Sequence, residues 1–250
     1  MIELTAADGH KFFAYRADPP ETPKGAVIVL QETPIVNPYI RKITDGFAEN
    51  GYVAIAPALY ERANKASQNG EKLEVAVFVK GAGIDGPLAD IQAAVDSVKE
   101  AGKVAVAGYS GGGYLAYLSA NLVCGLACAI GYYGPGIQDE YREKRKIPTL
   151  LHFAENDPLI PSEEVIQFRA NRPDVSVYTY AAGHGFSGSE EESYDKDAAS
   201  KALERTLFWI SQYVVGQPPV TLKNAGAYAL QKSDKKKKKK AGADDGPPMD

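Results

Sequence analysis

Short apolar runs alternate with segments of helical periodicity along most of this chain, and that alternation limits the folds open to it. Six runs predict strands: Ala26–Leu30, Tyr52–Ala56, Val104–Ala107, Leu126–Ile130, Thr149–Phe153 and Val175–Tyr180. Apolar residues three and four positions apart predict helices in two places: Ile91, Ala94, Val95 and Val98, and Leu203, Leu207, Ile210 and Val214. Nearly continuous apolar strands that alternate with helices are typical of a parallel sheet covered on both faces. We therefore predict an α/β fold with a mostly parallel, twisted sheet and helices on both faces.

Local signals refine this prediction. Residues 2–17, with a turn at Ala7–His10, predict an antiparallel hairpin at one edge of the sheet. Asn37 before Pro38 predicts a helix start, and Ser162 before two glutamates predicts another.

The chain divides by composition near residue 216. At 250 residues, one large α/β domain accounts for the apolar pattern, and we predict that domain over residues 1–216. Residues 217–230 are predicted to be a C-terminal extension and residues 231–250 a disordered, lysine-rich tail, because the tail has too little apolar content to fold. The tail is interpreted as a solvated segment, with an electrostatic tether to anionic partners as the alternative.

Charge and hydropathy exclude several classes of function. The formal net charge is −4, and residues 231–250 hold seven lysines and four aspartates, so residues 1–230 carry −7 and the body of the protein is acidic. An acidic domain is a poor partner for phosphate backbones, and we predict no nucleic-acid binding. No apolar run has the length of a membrane span, and the start resembles no secretory signal, so no membrane association and a cytoplasmic location are expected.

Cysteine and histidine are scarce. Cys124 and Cys128 are predicted to be small buried residues rather than a disulfide framework. The three histidines and two cysteines have no metal-ligand spacing, so we expect no metal.

One strand-to-helix turn carries a serine between glycines, Gly108-Tyr109-Ser110-Gly111-Gly112. Glycines on both sides allow a strained turn that lifts the serine hydroxyl above the sheet. In this setting, the pattern predicts a nucleophile at Ser110.

A serine hydroxyl attacks well at neutral pH only when a positioned base accepts its proton, so we expect a histidine near Ser110. His10 lies in the predicted hairpin turn and is expected to be exposed, whereas His152 lies inside an apolar run and is expected to be a hydrogen-bonded core residue. His184 lies in Ala181–Phe186, which is predicted to be a loop directly after the last strand-like run, Val175–Tyr180. Because α/β sheets place their sites at the carboxyl ends of strands, we predict His184 as the base.

The acid that orients this histidine is expected between the two, because chains with this serine turn order the partners as Ser, Asp or Glu, then His. Asp157 lies just past a predicted strand, in Asn156-Asp157-Pro158. Glu155 is the rival carboxylate, and a plain turn is the alternative interpretation of the Asn-Asp-Pro sequence. The order favours Asp157.

Taken together, these segments resemble the dienelactone hydrolase family of α/β-hydrolases, from about residue 24 to residue 214. The resemblance is carried by Leu30-Gln31-Glu32, Val36-Asn37, Ile40-Arg41, Gly51–Tyr60, Gly108-Tyr109-Ser110, Gly112-Gly113, Gly131-Tyr132-Tyr133-Gly134, Phe153–Pro158 and Gly183-His184-Gly185-Phe186. It implies an α/β-hydrolase fold and an enzyme that opens cyclic enol-lactones, formed when bacteria degrade aromatic compounds, through a covalent acyl intermediate.

By the same resemblance, Ser110 stands at the nucleophile position, and Asp157 and His184 stand at the acid and base positions. Glu32 stands at a glutamate that contacts the nucleophile in the family. A loop carboxylate held by neighbouring backbone N–H groups is the alternative interpretation of Glu32.

The chain departs from the family pattern in two respects. The usual nucleophile is cysteine, and a serine hydroxyl must lose its proton during attack, which makes His184 more important. The family's lactone hydrolases also hold the substrate carboxylate with arginines, one of them shortly after the catalytic histidine. Residues 186–191 contain no arginine, and residues 72–80 offer only Lys72 and Lys80.

We therefore predict hydrolysis of a small-molecule ester or lactone without a metal or organic cofactor. The oxyanion is expected to meet the backbone N–H groups of Gly111 and Thr33, because Pro34 has no N–H to donate. Tyr133 and Phe186 are predicted to line the substrate pocket.

Two other functions remain open. An acyltransferase or thioesterase could use the same three residues, and a non-catalytic binding protein could use the same scaffold. The oligomeric state is not determined by the sequence, and a monomer is the simplest expectation.

Overall fold

A computed structural model of the chain describes residues 1–31, 35–59, 83–188 and 192–216. The described residues up to Gly216 form one compact unit. The predicted extension at 217–230 and tail at 231–250 lie outside the described residues, so the proposed domain boundaries stay a prediction.

Strands and helices alternate through the described residues, as the apolar pattern predicts. The strands are β1 (Ile2–Thr5), β2 (Lys11–Ala17), β3 (Ala26–Leu30), β4 (Val53–Pro57), β5 (Val104–Tyr109), β6 (Leu126–Tyr132), β7 (Thr149–Asn156) and β8 (Ser176–Gly183). The α-helices are α1 (Pro38–Glu49), α2 (Asp85–Val98), α3 (Gly111–Leu122), α4 (Ser162–Asn171) and α5 (Lys196–Ile210). Short 3-10 turns lie at Lys99–Ala101 and Ile137–Asp139, and a π-helical turn lies at Ser211–Val215.

Within the described residues, the strands form one eight-stranded sheet in the order β1-β2-β4-β3-β5-β6-β7-β8. The first two strands form an antiparallel hairpin, and β2 also pairs antiparallel with β4. The other six strands, β3 to β8, all pair in parallel with their neighbours among themselves. The predicted α/β class and the edge hairpin are confirmed.

The side chains of the central strands alternate between two faces, and helices cover both. Val27 and Val29 of β3 point to a core that includes Ile40 of α1 and residues of α5. Ile28 and Leu30 point to a core shared with α2 and α3. All five residues of β3 are fully buried, which explains why the strand is apolar throughout rather than alternating.

Several strands continue beyond their predicted ends. β5 and β6 stay paired as far as Tyr109 and Tyr132, and the pairing of β7 with β8 reaches Asn156 and Gly183. Because the polar ends of these strands are still held by the ladder, the residues that follow them start from fixed positions.

The two helix starts differ in detail. The side chain of Asn37 accepts a hydrogen bond from the backbone N–H of Ile40 at 2.9 Å, with Pro38 as the first helical residue, as predicted. Pro161 occupies the cap position of α4, and Ser162 is already helical. The Ser162 hydroxyl donates instead to the backbone oxygen of Glu155.

Two expectations about single residues are wrong. Cys124 is exposed, because α3 has ended and the chain turns at Gly125 with φ of +85° before it enters β6, while Cys128 inside β6 is buried. Burial raises the pKa of the Cys128 thiol to about 12.

His10 is the second exception, because its side chain is only 11% exposed. Its ring stacks on Phe12, and Nδ1 lies 3.2 Å from the buried carboxylate of Asp90 in α2. Packing of the hairpin against α2 covers a turn residue that local sequence rules place in solvent.

In the described part of the chain, no helix combines the length and hydropathy needed to cross a bilayer.

Candidate active site

Ser110 occupies the turn between β5 and α3 in a conformation that L-residues rarely adopt. Its φ is +49° and its ψ is −119°. The backbone N–H of Ser110 donates to the carbonyl oxygen of Tyr132 at 3.0 Å, and the Ser110 carbonyl oxygen accepts from the backbone N–H of Tyr114 at 3.1 Å. Such a strained residue persists only when its surroundings fix it, and it is common at functional sites.

The glycines beside Ser110 are needed for close packing. A Cβ atom on Gly108 would lie 2.0 Å from the carbonyl oxygen of Gly112, and one on Gly112 would lie 2.4 Å from the carbonyl oxygen of Leu30. These contacts are with backbone atoms, which cannot rotate away. The strand-to-helix turn can therefore close only where these side chains are missing.

The structure brings Ser110, His184 and Asp157 into one hydrogen-bonded chain. Ser110 Oγ lies 3.0 Å from His184 Nε2, and His184 Nδ1 lies 2.7 Å from Asp157 Oδ2. A carboxylate can only accept a hydrogen bond, so His184 Nδ1 carries the imidazole proton and donates it to Asp157. Nε2 is then left as an acceptor for the serine hydroxyl. The Asp157 side chain is fully buried and the His184 side chain is 22% exposed. Solvent therefore reaches this hydrogen-bonded array from the side of His184 and Ser110, not from the side of Asp157.

Asp157 follows β7 directly and is fixed from both sides. Its second oxygen, Oδ1, accepts from the backbone N–H of Leu159 at 2.8 Å. The rival carboxylate, Glu155, belongs to the exposed end of β7. Asp157 and Glu155 are only two positions apart, yet the Asp157 side chain is buried and Glu155 is exposed.

His152 is the buried, hydrogen-bonded histidine that its strand position predicts. Nδ1 lies 2.8 Å from the hydroxyl of Tyr180, and Nε2 lies 3.0 Å from Oγ1 of Thr206. Burial, reinforced by the nearby charge of Arg205, lowers the pKa of His152 to about 3. Because His152 is neutral and has both nitrogens engaged, it is not available as a base for Ser110.

Aromatic rings pack beneath the serine turn. Tyr109 stacks on Tyr132 at 4.7 Å between ring centroids, and Tyr132 lies 4.5 Å from the ring of His152. The hydroxyl of Tyr132 bonds to Thr206 at 2.6 Å. This packed layer joins β5, β6, β7 and α5 behind Ser110.

Gly111 is the first residue of α3, so its backbone N–H has no acceptor within the helix. That position agrees with its predicted part in an oxyanion hole. Thr33, the predicted second donor, and Glu32 lie outside the described residues, and their roles stay predictions.

Tyr133 and Phe186 lie beside His184, and both are fully buried. The ring of Tyr133 meets the imidazole edge-on at 5.1 Å, and Phe186 packs against Tyr133 at 5.3 Å and Tyr180 at 5.0 Å. In this arrangement they support the histidine from the protein side. Their predicted contact with substrate stays a prediction.

Sequence reasoning did not find a cluster of hydroxyl groups beside His184. Ser187 Oγ lies 2.7 Å from the Tyr133 hydroxyl and 3.3 Å from the Tyr39 hydroxyl. The Ser193 hydroxyl donates to the backbone oxygen of His184. Ser187 and Ser193 are close to His184 in sequence, but Tyr39 and Tyr133 are distant, and only the folded chain brings them together.

An open groove of about 800 Å³ lies between α1 and α5. Its lining includes Tyr39, Tyr109 and Ser187 but not Ser110, Asp157 or His184. We place the site at the hydrogen-bonded chain rather than in the groove, because the chemistry requires the serine hydroxyl.

Within the described ranges, no group of three histidine, cysteine or carboxylate side chains is placed to hold a metal ion.

Comparisons with a family model, with known sequences and with solved structures all point to dienelactone hydrolases. The model of the dienelactone hydrolase family matches residues 12–214. A carboxymethylenebutenolidase of Pseudomonas putida is 30% identical over 226 residues, which cover 84% of this chain and 95% of that protein. One from Pseudomonas sp. strain P51 is 29% identical and covers 82% of this chain and 92% of its own.

Solved structures share the architecture. A proposed dienelactone hydrolase from Klebsiella pneumoniae superposes with a TM-score of 0.71 at 25% identity, covering 84% of this chain and 98% of its own. An esterase of Pyrococcus furiosus superposes with a TM-score of 0.61 at 18% identity, covering 85% of this chain and 92% of its own, and this likeness shows the fold alone.

Proposed function

The chain belongs to the dienelactone hydrolase family, a family of carboxylic ester hydrolases, and from that premise we propose that it is a serine hydrolase acting through a covalent acyl-serine intermediate. The observation that supports the serine mechanism best is the chain of short contacts from Ser110 through His184 to the buried Asp157. This is the arrangement that general-base activation of a hydroxyl requires.

In the first half of the reaction, Ser110 Oγ attacks the ester carbonyl carbon and its proton passes to His184 Nε2. The Asp157 carboxylate stabilises the imidazolium that forms and keeps the ring in its orientation. The bond from the carbonyl carbon to the leaving oxygen then breaks, and that oxygen takes the proton from Nε2. The acyl group stays on Ser110.

In the second half, a water molecule repeats the attack on the acyl-serine ester. His184 accepts a proton from the water and returns one to Ser110 Oγ, so the free acid leaves and the enzyme is restored. The negative oxygen formed in each half meets the backbone N–H of Gly111, and a donor of this kind lowers a barrier by about 3–4 kcal/mol.

We propose neutral esters or lactones as substrates rather than the anionic dienelactones. The segment that follows His184, residues 185–191, has no arginine to hold a substrate carboxylate, and residues 190 and 191 are glutamates. By sequence, this segment therefore adds negative charge and no cation, which disfavours a substrate that carries its own carboxylate.

The test uses small neutral aryl esters, neutral lactones and a dienelactone with the wild-type protein and with Ser110→Ala. We expect turnover of the neutral compounds by the wild type, loss of turnover in Ser110→Ala, and labelling by a fluorophosphonate at Ser110 as mapped by mass spectrometry. Ser97→Ala is the matched control, because the Ser97 hydroxyl bonds within α2 to Ala94.

Full activity in Ser110→Ala, or labelling at another serine, would overturn the proposed mechanism. Addition of a competing alcohol or thiol separates hydrolysis from acyl transfer. A product that retains the acyl group on the added alcohol or thiol favours the acyltransferase interpretation.

A further inference from the structure

His184 stands on a loop that must be held in place by contacts with other parts of the protein. The loop leaves β8 at Gly183 and turns at Gly185, where φ is +80°. Within the turn, the N–H of Gly188 donates to the carbonyl of Gly185 at 2.8 Å. This bond sets the local shape of the turn, but it does not fix the turn relative to Ser110, which lies between β5 and α3.

Ser187, in the same turn, makes two contacts that do cross to other elements. Its hydroxyl lies 2.7 Å from the hydroxyl of Tyr133, which follows β6, and 3.3 Å from that of Tyr39 at the start of α1. A serine hydroxyl has one hydrogen and two lone pairs, so one such group can bond to both tyrosines at once.

The contact with Tyr133 closes a circuit around the histidine. The Tyr133 ring lies edge-on to the His184 imidazole at 5.1 Å, and its hydroxyl reaches back to the turn that carries His184. Tyr133 is itself confined, with φ of +35°, and its N–H donates to the carbonyl of His152 at 2.7 Å. A ring held this firmly can act as a fixed support for the imidazole.

We propose that Ser187 is a positioning residue for His184: its hydroxyl ties the histidine turn to Tyr133 and Tyr39 and thereby keeps Nε2 in line with Ser110. The proposal rests on the proposed serine mechanism. Ser187 acts through the loop and touches no reacting atom. Its loss lets the turn shift, and a displacement of about 1 Å at a reacting group can reduce a rate about 100-fold.

The main experiment compares Ser187→Ala, Ser187→Thr and Ser97→Ala with the wild type on one neutral aryl ester. We expect Ser187→Ala to lower kcat by roughly 10- to 100-fold with KM changed less than about threefold, because alignment rather than binding is lost. Ser187→Thr restores the hydroxyl and is expected to recover most of kcat. Ser97→Ala removes a hydroxyl elsewhere and is expected to keep the wild-type kcat.

A double-mutant cycle tests the route through Tyr133. If Ser187 acts by way of the Tyr133 hydroxyl, Ser187→Ala combined with Tyr133→Phe is no slower than the slower single variant. Fully multiplied effects would instead show two independent roles and overturn the proposed circuit.

A readout independent of turnover is the proton NMR signal of His184 Nδ1–H in the ligand-free protein. We expect a resolved downfield signal in the wild type and in Ser187→Thr, and a broadened or absent signal in Ser187→Ala.

An unchanged kcat and signal in Ser187→Ala would overturn the positioning role, and so would a raised KM at constant kcat, which would indicate direct substrate contact. Both results leave the proposed function intact, provided that Ser110→Ala is inactive. If Ser110→Ala stays active, the proposed function fails whatever Ser187 does.

Discussion

His184 Nδ1 lies 2.7 Å from Oδ2 of Asp157, whose side chain has no solvent-exposed surface. The other carboxylate oxygen is held by the backbone N–H of Leu159. The carboxylate is therefore fixed before the imidazole gains charge, and little reorganisation is needed when a proton arrives at Nε2.

Replacing Asp157 by Asn is expected to lower kcat by about 10⁴-fold, because an amide of the same shape presents a donor to Nδ1 and favours the wrong tautomer. Steady-state kinetics on an aryl ester measure the effect. Glu155→Gln is the matched control, since Glu155 is exposed at the end of the same strand. A similar loss of kcat in both variants would show that Asp157 is not the acid that orients His184.

Gly112→Ala is expected to destabilise the protein by roughly 2 kcal/mol or more, because the added methyl group meets backbone atoms that cannot move aside. The carbonyl oxygens of Leu30 and Gln31 would lie 2.4 and 2.6 Å from the new carbon. Urea unfolding gives the free energy.

Gly46→Ala is the control for this prediction. Gly46 lies inside α1, and a Cβ there meets nothing within 4 Å. Alanine has the higher helix propensity, so we expect a gain of up to about 1 kcal/mol. A neutral Gly112→Ala would show that the turn has room to relax.

Thr206→Val is expected to cost about 2 kcal/mol of unfolding free energy, because two buried groups, Tyr132 Oη and His152 Nε2, lose their shared partner. Thr44→Val is the matched control. The Thr44 hydroxyl is equally buried, but it donates to the Ile40 carbonyl within α1, so its loss is expected to cost about 1 kcal/mol or less. Equal costs would argue against the buried network.

Stability is expected to fall as the pH drops below about 6.5, in part because of His152. Its pKa is lowered to about 3 in the folded protein from an ordinary 6.5, so the unfolded chain binds the extra proton between these values. Stability then decreases by about 1 kcal/mol from pH 7.0 to pH 5.5 through this group alone.

Urea unfolding of the wild type and His152→Gln at both pH values isolates that contribution. The variant is expected to lose less stability than the wild type over the same interval, by about 1 kcal/mol. Parallel losses would show that His152 does not titrate in this way.

The sheet and the Ser110, Asp157 and His184 chain could be predicted from local patterns, because apolar runs, the glycine turn and the order of the three residues are all written in short stretches of sequence. The order of residues favours Asp157 over Glu155, and the fold gives the physical reason: the Asp157 side chain, just past β7, is buried, whereas Glu155, at the end of β7, is exposed.

Other features depend on contacts that no local rule contains. His10 and Asp90 are 80 positions apart, and their pairing turns a surface residue into a covered one. The Ser187 contacts with Tyr133 and Tyr39 span 54 and 148 positions. Such pairs follow from the packing of whole elements, so the sequence predicts each partner's environment only after the fold is known.

The place of β8 in the sheet has a consequence for heat inactivation. In the described part of the sheet, β8 pairs on one side only, with β7, and it carries the histidine turn at its end. An edge strand can separate from its neighbour at a lower free-energy cost than the central strands β3, β5 and β6, which pair on both sides. On warming, ester hydrolysis is therefore expected to disappear while the central strands and the helices that cover them still give a native circular dichroism spectrum.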